Sequence, residues 1–192
     1  MTQQLVNLTI DCKGLSCPMP IVKTKKAIDQ VSPGQVLEVL ATDPGSVADI
    51  KSWATRTGHQ FIGTTKDGNV FKHYIRRTDP NEVRPESRHA DVISNEELQA
   101  LLSQNPVILD VREPMEYTFG HIPGAKHVPL GQLEEELESL RNFADQVIHV
   151  VCRSGNRSDT ACQILSEHGF PHVKNVVPGM SEWTFDLEQS QS

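Results

Sequence analysis

Hydrophobic and polar positions alternate over Leu5-Val6-Asn7-Leu8-Thr9-Ile10-Asp11, which reads as a strand. Beyond Pro20 the pattern changes. Ile21, Val22, Ala27 and Ile28 mark one face of a helix, with Lys23, Lys25 and Lys26 elsewhere on it. Val36 to Thr42 is a second strand, ended by Asp43-Pro44-Gly45-Ser46, and a helix follows through Val47, Ile50, Trp53 and Ala54 to Gly58. His59 to Lys66 and Asn69 to Arg76 read as two strands joined at Asp67-Gly68, a strong hairpin signal. The order βαβαββ predicts a two-layer sandwich, two helices on one face of a four-stranded sheet.

From Thr78 to His89 the chain is polar, carries two prolines and has no periodicity, so it reads as an exposed, semi-extended linker. A second pattern then begins. Ser94-Asn95-Glu96-Glu97 is a capping box that opens a helix through Leu98, Leu101 and Leu102. Val107 to Val111 and Val147 to Val151 are short apolar runs of the kind buried in parallel sheets. Gln132 to Leu140 reads as a helix whose Glu134-Glu135-Glu136 run is a solvated face. After Cys152, Ser158 to Gly169 carries Ala161, Ile164 and Leu165 at helical spacing and stops on a glycine; Val173 to Val177 is a further strand. Strands alternating with helices predict a parallel α/β sheet. Two α/β domains are therefore expected, at 1–78 and 91–192, with a linker at 79–90.

Charge sharpens this division. Residues 1–78 carry 10 Lys and Arg against 6 Asp and Glu, a net of +4, while residues 79–192 carry 8 against 19, a net of −11. Opposite signs support a boundary and favour docking of one half on the other. The lysines of the first half look like a solvated helix face, so no direct nucleic-acid binding is expected. No apolar run approaches the ~20 residues of a membrane span. The N-terminus has no basic region followed by an apolar core, so no signal peptide is expected. Four cysteines do not make a disulfide scaffold in a chain of 192 residues, and a reducing cytoplasm fits them better.

The chemistry concentrates at Cys152-Arg153-Ser154-Gly155-Asn156-Arg157-Ser158, between the end of a strand and the start of a helix. Successive backbone N–H groups and the helix dipole there favour a thiolate or a bound anion, and can lower a cysteine pKa from ~8.5 to about 3.5–7.5. Most free cysteines are simply small buried apolar residues. Two arginines and a glycine in a tight turn argue for a nucleophile instead, with Arg153 and Arg157 as attractors of an anionic donor and Arg157 also able to fix the loop. Earlier, Cys12-Lys13-Gly14-Leu15-Ser16-Cys17-Pro18-Met19-Pro20 places Cys17 at a helix start, where the dipole favours a thiolate. The bland reading makes Cys12 and Cys17 ordinary turn residues. No second Cys or His pair has zinc spacing. Cys162, near the face of Leu165, reads as core.

Two resemblances follow from these residues. Gly14-Leu15-x-Cys17-Pro18-x-Pro20, Asp43-Pro44 and the Trp53 helix ending in Gly58-His59 resemble the TusA/SirA family of small sulfur carriers over roughly residues 5–76. The likeness implies that Cys17 holds a persulfide and hands it to a partner. Asp110-Val111-Arg112-Glu113, Gly120-His121-Ile122-Pro123-Gly124-Ala125, Gly179-x-x-x-Trp183 and the cysteine loop resemble a single-domain rhodanese over roughly residues 91–188. That likeness implies a sulfurtransferase with a Cys152 persulfide, Asp110 and Arg112 supporting the loop, and His121 in a structural role. The expected donor is thiosulfate or another sulfane-sulfur compound, the acceptor a carrier-type protein, and no metal or organic cofactor is required. Protein-tyrosine phosphatases use a related cradle with one more residue in it; here four lie between Cys152 and Arg157. A phosphatase or arsenate reductase is the rival enzyme, and a non-enzymatic carrier or binding module the rival of another class.

Overall fold

The computed structural model describes residues 5–82 and 88–190. Part of the expected linker, residues 83–87, lies outside the described residues. The chain divides into two compact units, one built mainly on the residues up to Pro80 and the other mainly on those from Asn81 onward. Both belong to the α/β class expected from the hydrophobic pattern.

The first unit runs β1 (Leu8–Cys12), α1 (Met19–Ile28), β2 (Val36–Ala41), α2 (Ser46–Arg56), β3 (Gln60–Asp67) and β4 (Val70–Arg76). The sheet order is β1-β2-β4-β3, with β1 parallel to β2 and the other pairs antiparallel. Asp67 pairs with Val70, so the hairpin turn is Gly68-Asn69, with Gly68 at φ +60°. The helices lay Ala27, Ile28, Ile50, Trp53 and Ala54 on Cys12, Leu37, Val39 and Ile75 of the sheet. Positions 50, 53 and 54 share one helix face, and burying them supplies the unit's main driving force at about 25 cal/mol per Å². Val22, expected on the buried face of α1, is 40% exposed, whereas Thr24 is fully buried. The difference has a local cause: Thr24 donates its hydroxyl proton to the Pro20 carbonyl at 2.7 Å and so enters the core satisfied.

The second unit contains β5 (Val92–Ser94), α3 (Asn95–Leu101), β6 (Val107–Asp110), α4 (Pro114–Phe119), β7 (Lys126–His127), α5 (Leu133–Glu136), β8 (Ile148–Val151), α6 (Asn156–Glu167) and β9 (Val173–Val177). The strands form one parallel sheet in the order β5-β9-β8-β6-β7. Consecutive strand residues face opposite layers. Leu109 and Val150 join Ala161 and Leu165 of α6 in one core, while Ile108 and Val151 join Leu98 of α3 and Trp183 in the other. Helices therefore cover both faces, which is why these strands read as unbroken apolar runs.

The capping box is as expected: Ser94 accepts from the Glu97 N–H at 3.1 Å, and Glu97 accepts from the Ser94 N–H at 2.8 Å. The helix expected over Gln132–Leu140 is shorter. Only Leu133–Glu136 is α-helical, between 3-10 turns at Leu130–Gln132 and Arg141–Phe143. Leu133, Leu137 and Leu140 are buried at helical spacing, but Glu134 and Glu138 stack like charges one turn apart and the chain tightens instead. Within the segment expected as a linker, Pro80–Glu82 is a 3-10 turn, and the His89 N–H donates to Asp159 at 2.8 Å.

Candidate functional sites

The end of β8 delivers Cys152 into a turn that closes on the first residue of α6. Gly155 makes that turn possible: it sits at φ +87°, and a Cβ there would lie 2.9 Å from Val177 Cγ1. Its N–H donates to Cys152 Sγ at 3.1 Å, and Ser158 Oγ lies 3.3 Å from the same sulfur. The sulfur is enclosed, with Cys152 only 1% exposed. The loop's other edge is clamped by the turn after β9. Met180 N–H donates to the Cys152 carbonyl at 2.9 Å and Ser181 N–H to the Arg153 carbonyl at 2.8 Å. Gly179 permits this approach; at φ +90°, a Cβ on it would meet Cys152 O at 2.6 Å. Asn95, at the start of α3, braces Gly179 by donating Nδ2–H to its carbonyl at 3.0 Å.

The two loop arginines part company. Arg153 is exposed. Arg157 is 3% exposed and forks onto Glu116, at 2.6 Å from Nη1 to Oε2 and 2.8 Å from Nη2 to Oε1. Its Nε is 3.8 Å from Glu82. A guanidinium held this way fixes the loop rather than greeting an anionic donor. Asp110 and Arg112 pair with each other at 2.6 Å, and Arg112 also donates to the Gly120 carbonyl at 2.8 Å. They tie the end of β6 to the chain leading into β7, away from any direct bond to Cys152. His121 stacks on Tyr117 with ring centroids 3.7 Å apart and bonds the Tyr117 carbonyl at 2.9 Å, a packing arrangement. Cys162 is fully buried, and burial pushes its thiol far up, as a core cysteine requires. Ser154 is exposed and Asn156 half-buried at the mouth of the loop.

In the first unit Cys17 is exposed, two residues before α1. Its N–H donates to Asp43 Oδ2 at 3.2 Å, while Asp43 Oδ1 accepts from the Gly45 N–H at 3.1 Å. The Asp43 loop is anchored below. Ser46 donates to the Asp43 carbonyl at 2.6 Å, so its oxygen accepts from His73 Nε2–H at 2.9 Å, and Nδ1 accepts from Thr64 at 2.8 Å. Burial lowers the His73 pKa to about 4, which keeps the ring neutral in this role.

The helix start was expected to favour a Cys17 thiolate, and the surroundings do the opposite. A hydrogen bond to Asp49, partial desolvation and the Asp49 and Asp43 charges all raise its pKa. Asp49→Asn is accordingly expected to speed iodoacetamide alkylation of Cys17 several-fold at neutral pH and move the pH midpoint down. Peptide-resolved mass spectrometry checks this; an unchanged midpoint would mean the carboxylate does not govern the thiol. Cys12, by contrast, ends β1 fully buried, its thiol pKa raised by burial, so it is not a surface thiol beside Cys17.

Four contributors escaped the sequence reading: Glu116, Asn95, Gly179 in its bracing role, and Asn175, which contacts both Gly155 and Ser158. Asn175 left a faint signal, since asparagine is depleted in strands and this one interrupts Val-Lys-Asn-Val-Val. Among the described residues, no cluster of three His, Cys, Asp or Glu side chains is suited to a metal ion, and no helix is long and apolar enough to cross a membrane.

Comparison with known proteins bears on both units. Residues 8–77 match the family model for sulfurtransferase TusA, and residues 94–186 that for the rhodanese-like domain. A Bacillus subtilis protein named as a sulfur carrier, YrkF, is 42% identical over 182 residues, covering 94% of this chain and 97% of that protein. The sulfur carrier protein TusA of Allochromatium vinosum is 42% identical over 69 residues, 36% of this chain and 91% of its own. A rhodanese-like domain protein from Staphylococcus aureus superimposes with a TM-score of 0.49 at 30% identity, covering 53% of this chain and 99% of that one.

Proposed function

The chain belongs to the sulfur-carrier and sulfurtransferase family in which a TusA domain is joined to a rhodanese-like domain, and from that premise we propose that it takes sulfane sulfur onto Cys152 and relays it through Cys17 to an acceptor protein. With thiosulfate as donor, the Cys152 thiolate attacks the outer sulfur. The S–S bond breaks with its electron pair leaving on sulfite, and the persulfide remains on Cys152. The Gly155 N–H, with the other amides of the turn, opposes the negative charge that builds on the terminal sulfur. A Cys17 thiolate then attacks that terminal sulfur, the Cys152 thiolate leaves, and the persulfide stands on Cys17. Joining both cysteines in one chain makes the second transfer intramolecular and so raises the effective concentration of one cysteine at the other. Four free thiols suit a reducing compartment such as the cytoplasm.

One observation supports sulfur over phosphate as cargo: the end-on fork of Arg157, one N–H from each terminal nitrogen, is turned onto Glu116. A phosphate cradle needs that fork for its oxygens, whereas a single sulfur atom needs only the loop amides. The test sets thiosulfate with cyanide against an aryl phosphate. Thiocyanate release without phosphate release is the expected result, and phosphate release alone would overturn the proposal.

A further inference from the structure

Asn175, in the middle of β9 and 3% exposed, meets the cysteine loop with both ends of its amide. Nδ2 lies 3.0 Å from the Gly155 carbonyl and Oδ1 lies 2.6 Å from Ser158 Oγ. A carbonyl can only accept, so the NH2 end must face Gly155 and the oxygen must face Ser158. That oxygen also only accepts, so the single Ser158 proton is directed at Asn175. Ser158 is then left facing Cys152 Sγ, 3.3 Å away, with a lone pair. Such an arrangement offers the sulfur no proton from Ser158. To donate to a thiolate, Ser158 would have to abandon the shorter bond and leave Asn175 Oδ1 buried without a donor.

We propose that Asn175 is a positioning residue that withholds the Ser158 proton from Cys152 and so restrains the sulfur's nucleophilicity until a donor arrives. Its functional meaning rests on the reading of Cys152 as the sulfur-accepting nucleophile, but the hydrogen-bond claim stands apart from any sulfur donor. Of the titratable groups around the sulfur, Arg157, held by Glu116, and the buried Cys162 both interact with it electrostatically, and the variants below leave all three in place.

The experiment is iodoacetamide alkylation of Cys152 in the full chain across pH, resolved by peptide mass spectrometry, with thermal melts to confirm folding. In Asn175→Leu the freed Ser158 hydroxyl turns to the thiolate. Alkylation at neutral pH is expected to rise about tenfold. Asn175→Ala, which leaves space rather than bulk, repeats the measurement should the leucine not fold. Adding Ser158→Ala to either is expected to erase the gain, because the effect runs through that hydroxyl. No gain in the single variants, or a gain that survives the loss of Ser158, overturns the proposal. Neither result depends on thiosulfate, so failure here is distinguishable from failure of the sulfur-transfer reading.

Discussion

Replacing Cys152 with serine is expected to lower thiosulfate–cyanide turnover by at least about a thousandfold, the scale on which loss of a covalent nucleophile is felt. Serine is close to isosteric, and the Gly155 N–H and Ser158 hydroxyl that meet the sulfur can meet an oxygen equally well. The loop should therefore survive, with a melting temperature near that of the parent. What disappears is an atom that ionises in the accessible range and forms a bond to sulfur that a second thiolate can break. A serine variant retaining a tenth of the turnover would contradict the assignment and move the first acceptor to another cysteine, Cys17 being the exposed one.

Glu116→Ala is expected to destabilise the second unit by about 3–5 kcal/mol, the usual cost of stripping one partner from a buried ion pair. Among the described residues, Arg157 would keep the 3.8 Å approach of Glu82 for a guanidinium 3% exposed. The charge cannot be shed, because a guanidinium is too basic to deprotonate even where burial opposes the charged form; in the parent, Glu116 offsets that opposition. Chemical denaturation measures the loss. The double variant Glu116→Ala with Arg157→Met should recover much of it, because removing both charges leaves neither one stranded. A loss under about 1 kcal/mol in the single variant would mean that water or another group already screens the pair.

Local order was legible and distant partnership was not. The unbroken run before Cys152, the glycine at φ +87° and the helix after it are all specified within about twenty residues of chain, and the fold follows them. The first sheet and the three inner strands of the second, β9, β8 and β6, were readable for the same reason. β7, with two residues, and α4, with six, are too short to carry a period, so Glu116 never declared itself as buried. It lies 41 residues from Arg157 in the chain, and only the folded sheet brings them together. The Cys17 environment was misread by the same route. The helix start is a local feature, but the carboxylates that oppose a thiolate come from Asp43, 26 residues away, and from Asp49 on another helix. Asn175 reaches Ser158 of α6 across 17 residues, from strand β9. Position along the chain pointed to the candidate cysteines; the groups that surround them are supplied by topology.

The relay from Cys152 to Cys17 is tested most directly by peptide mass spectrometry after brief exposure to thiosulfate, comparing the parent with Cys152→Ser and Cys17→Ser. The mass of one added sulfur atom is expected on both cysteines in the parent, on Cys152 alone in Cys17→Ser, and on neither in Cys152→Ser. Loading of Cys17 in the chain that lacks Cys152 would contradict the relay and make the first unit an independent sulfur acceptor.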